Sequence, residues 1–140
     1  MTAAEIVVGS HSVRLTRDQR IRRRQDFLRV QSSSARVTTE HFVFLLAPRV
    51  LDGASLDAAG ATTRLGITVT RKIGCAVVRN RAKRLVREAF RQVGGQLPAN
   101  VDMVVIVRKA LRGIAIQDVC REWISVERLL HARSRFRRAT

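Results

Sequence analysis

Residues 64–91 read RLGITVTRKIGCAVVRNRAKRLVREAFR, and they are the most informative part of the chain for its fold. The first seven residues of this stretch, 64–70, are rich in β-branched side chains and predict a strand. Residues 80–93 place apolar and basic side chains at helical spacing, and Gly94, Gly95 and Pro98 end that helix. The stretch therefore predicts a strand that leads through a short turn into an amphipathic helix.

The flanking sequence predicts the remaining elements. They are a helix over 17–31 with capping-box spacing between Thr16 and Gln19, a strand over 37–46, a long hairpin loop ending near Thr63, a strand over 101–107 and a helix over 117–131. Helices and strands alternate around one small sheet, so we predict an α+β class: a single small domain with a four-stranded mixed sheet and about three helices. Residues 1–15 are interpreted as a flexible arm, 16–132 as the domain and 133–140 as a basic tail.

The net charge of the chain indicates its partner. Among 140 residues, 27 Lys and Arg stand against 11 Asp and Glu, a formal net charge of +16, and 24 of the cations are Arg. Such an excess repels itself unless a polyanion or a membrane surface receives it, and Arg is the side chain that forks onto phosphates and stacks on bases. An Arg-biased genome would explain the preference for Arg over Lys, but it does not explain the net charge.

The sequence also indicates a compartment. No targeting segment is evident, and no apolar run approaches the roughly 18 residues that a membrane span needs. Cys75 and Cys120 lie far apart, without a CxxC motif or a nearby His, which argues against a zinc site and fits a reducing environment. We expect a cytoplasmic protein with no membrane partner.

Residues 79–91 carry the densest charge in the chain. On a helix, Ala82, Val86 and the other apolar residues of this segment occupy one arc, and the cations occupy the other. Six cations stand against the single acid Glu88, whereas an ordinary solvated face mixes signs at i, i+4. Asn80, near the predicted start of the helix, is by default a helix cap. The six cations are Arg79, Arg81, Lys83, Arg84, Arg87 and Arg91, and their one-sided charge predicts contact with a polyanion.

A groove for single-stranded RNA needs aromatic platforms beside cations, because unstacked bases stack on rings while the backbone meets positive charge. The available rings are Phe27, Phe42 and Phe44. Each is more often a core residue than a platform. Arg71 and Lys72, directly after the second strand, are placed to flank such a groove.

No arrangement of side chains predicts catalysis by this chain alone. His11, His41 and His131 lie in an arm, a strand and a helix end, so no His and Ser or His and Cys pairing follows from their spacing. No HExxH, P-loop or GxSxG motif occurs. We expect no catalytic residue, no metal site and no cofactor bound by the protein itself.

Residues 64–91 closely resemble the signature of the bacterial ribonuclease P protein subunit, in which a glycine-containing strand leads through a basic pair and a Gly-x-Ala-Val turn into an Arg-Asn-Arg helix. RIRRRQDFLRV at 20–30, EHFVFLL at 40–46 and DMVVIVRK at 102–109 resemble that family's first helix, first long strand and last strand. The resemblance covers most of residues 17–131.

The resemblance implies a ribosomal-protein-like α+β fold with a left-handed crossover into the Arg-Asn-Arg helix. It implies a subunit of a ribonucleoprotein endonuclease that removes the 5′ leader of precursor tRNA, with Mg²⁺ held by the catalytic RNA. The partners would be that RNA, facing the Arg-Asn-Arg helix, and the leader, in a cleft between the first helix and the sheet. On this basis, the residues expected to contact RNA are Arg79, Asn80, Arg81, Lys83, Arg84, Arg87 and Arg91. The residues expected in the leader cleft are Phe27, Phe42, Phe44, Arg71 and Lys72. This chain has Gln31 and Leu45 where the family often carries aromatic residues, so stacking on the leader is expected to be weaker. Cys75 stands where Asn or Lys is common. The alternative is a basic ribosomal protein that binds ribosomal RNA without preference for a leader.

Overall fold

The computed structural model describes residues 19–33, 35–49, 63–98 and 101–135. The predicted arm at 1–15, most of the predicted loop before Thr63 and the last five residues of the predicted tail lie outside the described residues. The strands are β1 (Ala35–Thr38), β2 (Phe42–Pro48), β3 (Arg64–Thr68) and β4 (Val101–Val107), and the helices are α1 (Arg24–Gln31), α2 (Ala76–Val93), α3 (Ile116–Ser125) and α4 (Glu127–Arg133). None of the helices described is long and apolar enough to cross a bilayer.

The four strands form one mixed sheet in the order β1-β2-β4-β3. β2 is antiparallel to both β1 and β4, and Phe44 lies opposite Val105 in the second pairing. β3 is parallel to β4, and α2 forms the connection between them. The predicted α+β class and four-stranded mixed sheet are confirmed, with four helices in place of about three.

The pleat of β2 divides the core into two layers. Phe42, Phe44 and Leu46 face the main cluster, which also contains apolar residues of α2, α3 and α4. Leu45 and Ala47 face a smaller cluster under α1. Alternate strand residues point to opposite faces, so the sheet is covered on both sides and β2 is apolar throughout.

The first helix is shorter than predicted, because it begins at Arg24 and not at Arg17. Arg20 instead forms an isolated parallel bridge with Leu65, and the Ile21 amide donates to the Leu65 carbonyl at 3.0 Å. β3 is an edge strand, so one side of its backbone has groups that no other strand pairs with. The extended segment at 20–21 satisfies one of these groups, and it could not do so if it were helical. The capping box predicted with Gln19 is therefore not at the helix start.

Two predicted elements are each divided in the structure. The predicted strand 37–46 is a hairpin, because the chain turns at 39–41 and the Thr39 amide donates to the Phe42 carbonyl at 2.8 Å. The predicted helix 117–131 breaks at Val126, between α3 and α4. The break lets α3 pack on α2 while α4 packs on β1, which one straight helix would not achieve.

Candidate nucleic-acid interface

α2 begins four residues earlier than predicted. A short 3₁₀ turn, Arg71–Ile73, follows β3, and Gly74 has a φ of 153°, a conformation that side chains rarely adopt. α2 then starts at Ala76 with Cys75 at its N-cap position. Asn80 consequently lies inside the helix with an exposed side chain, so its predicted capping role is wrong.

One edge of α2 borders a groove. Arg79, Lys83 and Arg87 recur at four-residue spacing, which places them on one side of the helix. Lys83 and Arg87 line a groove of about 190 Å³ between α1, β3 and α2. Arg79 is half-buried, and its Nε is enclosed without a hydrogen-bond partner among the described residues. These three cations therefore occupy the side of α2 that approaches the sheet.

Phe27 forms the opposite wall of this groove. Its half-buried ring lies over Gly66 of β3, and a Cβ built at Gly66 would stand 2.7 Å from the ring's Cζ. Only a glycine allows the ring to lie so close to the strand. The structure thus brings one predicted platform, Phe27, to the same groove as two predicted RNA-contact cations, Lys83 and Arg87.

Phe42 and Phe44 do not belong to this groove. Both are fully buried, and both rings pack edge-on against Trp123, with centroids 5.9 and 5.3 Å away. They sit on the face of the sheet opposite α1, because residues two apart on a strand share a face. Their predicted place in the leader cleft is corrected: no exposed ring face is left for a base.

Arg71 and Lys72 are exposed on the 3₁₀ turn that connects β3 to α2. They stand beside the start of α2 rather than among the residues that line the groove. Asn80 and Arg84 lie farther along α2, exposed on the side turned away from the core. This exposed side of α2, Asn80 and Arg84, is called the crest below.

Two predicted RNA-contact cations already have partners within the protein. Arg91 forms an ion pair with Glu88 one turn away, which lowers the pKa of Glu88. Arg81 donates to the carbonyl oxygens of Leu111 and Ile114, the latter at 2.9 Å. The freely available positive surface of α2 is therefore smaller than the sequence pattern indicates.

A buried ion network, not predicted from the sequence, fixes α1 to the sheet. Asp102 of β4 is fully buried and accepts from Nε and Nη2 of Arg64, both at 2.7 Å, and from Arg29 of α1. Arg29 also donates to the Pro48 carbonyl at 2.7 Å, and Asp26 lies 3.5 Å from Arg64. A charged residue within the apolar run VDMVVIV was the available signal, because a buried charge requires partners.

The remaining titratable groups have structural environments. His41 Nδ1 lies 2.7 Å from Glu122 Oε1, so this His is paired with an acid and not with a nucleophile. The backbone amides of Val78 and Val77 lower the pKa of the exposed Cys75, whereas burial raises the pKa of Cys120 to about 11. Within the described ranges no cluster of three or more His, Cys, Asp or Glu is arranged to hold a metal ion.

Comparison with known proteins identifies the family. The family model described as Ribonuclease P matches residues 15–132. The chain belongs to the ribonuclease P protein family. The ribonuclease P protein component of Syntrophus aciditrophicus is 39% identical over 77% of this chain and 83% of its own length, and that of Desulfatibacillum aliphaticivorans is 44% identical over 74% and 78%.

Solved ribonuclease P proteins share the fold. The Thermotoga maritima protein superimposes with a TM-score of 0.64 at 34% identity, covering 84% of this chain and all of that one. The Staphylococcus aureus protein gives 0.62 at 26% identity, covering 79% and 94%. The chain is thus an RNA-binding subunit in tRNA processing that associates with ribonuclease P RNA as part of a ribonucleoprotein endonuclease. The ribosomal alternative is not favoured.

Proposed function

We propose that the groove between α1, β3 and α2 binds the single-stranded 5′ leader of precursor tRNA. The observation that carries the proposal is that Phe27, Lys83 and Arg87 line one groove. A single strand is bound by rings that stack on unpaired bases and by cations that track the backbone. Lys83 and Arg87 are about 6 Å apart along the helix axis, so neighbouring phosphates of one strand can meet both.

The crest of α2 is proposed to face the catalytic RNA. Asn80 and Arg84 are exposed, and no described acidic side chain forms an ion pair with Arg84. Because Arg84 projects about 100° around the helix from Lys83, α2 can contact two RNA segments at once. Its cations would then screen the repulsion between the phosphates of the catalytic RNA and those of the substrate.

Bond cleavage is assigned to the RNA partner in this proposal. The protein's role is to bind the leader and the catalytic RNA, and it supplies no catalytic residue. Mg²⁺ is a hard cation that prefers oxygen ligands and is commonly bound through phosphates, so we place the metal ions of the reaction on the catalytic RNA.

Reconstitution tests the proposal as a whole. Precursor tRNA is incubated at low Mg²⁺ with a bacterial ribonuclease P RNA, with this protein, or with both. We expect correct 5′ cleavage only when both are present. Cleavage by the protein alone would instead identify an autonomous nuclease, and tight RNA binding without rescue of cleavage would return the ribosomal reading.

A comparison of variants tests the groove. Phe27→Leu keeps an apolar side chain between α1 and β3 but removes the ring. Arg84→Ala, on the crest, serves as the control. Stacking contributes about 1–3 kcal/mol per base, so Phe27→Leu should reduce the affinity gained from the leader by about fivefold or more. Arg84→Ala should weaken assembly with the catalytic RNA and leave that leader-dependent gain unchanged. If Phe27→Leu, like Arg84→Ala, lowers the affinity for substrates with and without a leader by the same factor, the groove is not the leader site.

A further inference from the structure

The contact between Arg81 and the turn after β4 gives this cation a structural use. Its guanidinium donates to the carbonyl oxygens of Leu111 and Ile114, and the Ile114 amide donates to the Leu111 carbonyl at 3.3 Å to close the turn. Gly113 adopts a φ of 71° within it. A planar guanidinium can span two carbonyl groups, whereas a Lys ammonium is a single point charge. Arg81 therefore ties the turn to α2.

The same turn presents Arg112 to solvent. Arg112 is exposed and forms no ion pair with a described acidic residue, while its neighbour Leu111 is buried in the main core. Two backbone amides are the main cause of the lowered pKa of Cys75, and the charge of Arg112 contributes to it. Arg112 thus lies within electrostatic reach of the start of α2, where Arg71 and Lys72 are also exposed.

We propose that Arg112 contacts the phosphate backbone of the catalytic RNA, and that Arg81 is a positioning residue that holds Arg112 there rather than an RNA ligand itself. The inference deepens the proposed function, since it assumes that the α2 side of the protein faces that RNA. Among the exposed residues of this part of the surface, Arg71, Lys72, Arg84 and Arg112 are cations, whereas Cys75, Val77 and Asn80 are uncharged. A polyanion is therefore the partner that the surface fits.

The salt dependence of binding distinguishes a contact from a positioning residue. Each phosphate contact adds about 0.7 for a single strand and about 0.9 for a duplex to the magnitude of the log–log slope of affinity against salt. Arg112→Ala should lower the magnitude of the slope by about this amount. Over a fourfold change in salt concentration, the ratio of wild-type to variant affinity should then change by close to threefold. The probe is an in vitro transcribed bacterial ribonuclease P RNA with the full-length protein, whose fold is checked by circular dichroism.

Charge-conserving variants of Arg81 and Arg84 form the matched pair. Arg84→Lys keeps a charge on the crest and should retain the slope. Arg81→Lys also keeps its charge but cannot span both carbonyls, so we expect it to lower the slope as Arg112→Ala does and to speed hydrogen exchange of the Ile114 amide. Adding Arg112→Ala to Arg81→Lys should lower the slope no further, because both changes remove the same contact.

Each other outcome overturns a specific part of the proposal. If Arg81→Lys retains the slope while Arg81→Ala lowers it, Arg81 contacts RNA directly. If neither Arg81→Lys nor Arg81→Ala alters the slope, Arg81 has a purely structural role. If Arg112→Ala leaves the slope unchanged, the turn does not contact RNA. Failure of the proposed function gives a different pattern, because Arg84→Ala would then leave the slope unchanged.

Discussion

Removing the carboxylate of Asp102 should destabilise the protein more than removing any exposed acid. Asp102→Ala leaves Arg29 and Arg64 without the fully buried group that accepts hydrogen bonds from both. Removing one partner of a buried ion pair costs about 3–5 kcal/mol. The two guanidinium side chains are 30% and 17% exposed, and Asp26 stays within 3.7 Å of each, so water and Asp26 recover part of the loss.

We therefore expect a loss of about 3 kcal/mol, at the lower end of that range. At a typical dependence of about 1–3 kcal/mol per molar urea, the unfolding midpoint should fall by about 1–3 M. Trp123, the single Trp of the chain, is fully buried, so its fluorescence reports unfolding in a urea titration. Glu88→Ala is the control, because Glu88 pairs with Arg91 at a partly exposed site, where such a pair contributes at most about 1 kcal/mol.

A second variant identifies the cause of the loss. In Asp102→Leu combined with Arg64→Met, the principal stranded guanidinium is also replaced by an apolar side chain, and such replacements are often close to neutral. The double variant should recover at least half of the loss caused by Asp102→Ala. If Asp102→Ala costs no more than Glu88→Ala, the network does not hold α1 to the sheet and the reasoning is wrong.

Two further predictions concern the groove and the hairpin turn. Gly66→Ala places a methyl group 2.7 Å from the Phe27 ring, so a loss of about 1–3 kcal/mol is expected in urea unfolding, and it should vanish in a Phe27→Ala background; a persisting loss would point to another contact. At Glu122, burial opposes the charged form, but hydrogen bonds from Thr39 and His41 outweigh it and lower the pKa below 4.5. Its stabilising contribution is complete above that value and is lost as the pH falls through the folded-state pKa. The stability difference between wild type and Glu122→Gln should therefore shrink in acid, and a constant difference would contradict the assignment.

Sequence periodicity determined the parts of the fold that depend on local patterns. The apolar arc of α2 predicted a helix, because the period of 3.6 residues is a property of the backbone itself. The continuous apolar run of β4 is too short for a core helix, so it predicted a strand that is covered on both faces. The cationic side of α2 was equally visible. These patterns, with the net charge, were sufficient to predict the class of fold and a polyanionic partner, and the family resemblance of residues 64–91 specified RNA.

Tertiary packing decided which side chains are available to RNA. The sequence does not say which face of β2 is covered by α1 and which by α3, so Phe42, Phe44 and Phe27 appeared equivalent as platforms. The structure buries the first two against Trp123 and leaves Phe27 on the groove. Alternation along a strand shows which residues share a face, but it does not show which helix packs on that face.

Long-range contacts likewise decided the roles of the charged residues. Arg81 and Arg84 are both cations in one basic run, yet the first donates to carbonyl groups 30 and 33 residues away and the second remains exposed. Asp102 receives its partners from α1 and β3, which are distant in sequence. A residue's own chemistry sets which contacts it can form, and only the folded chain brings the partner that it takes.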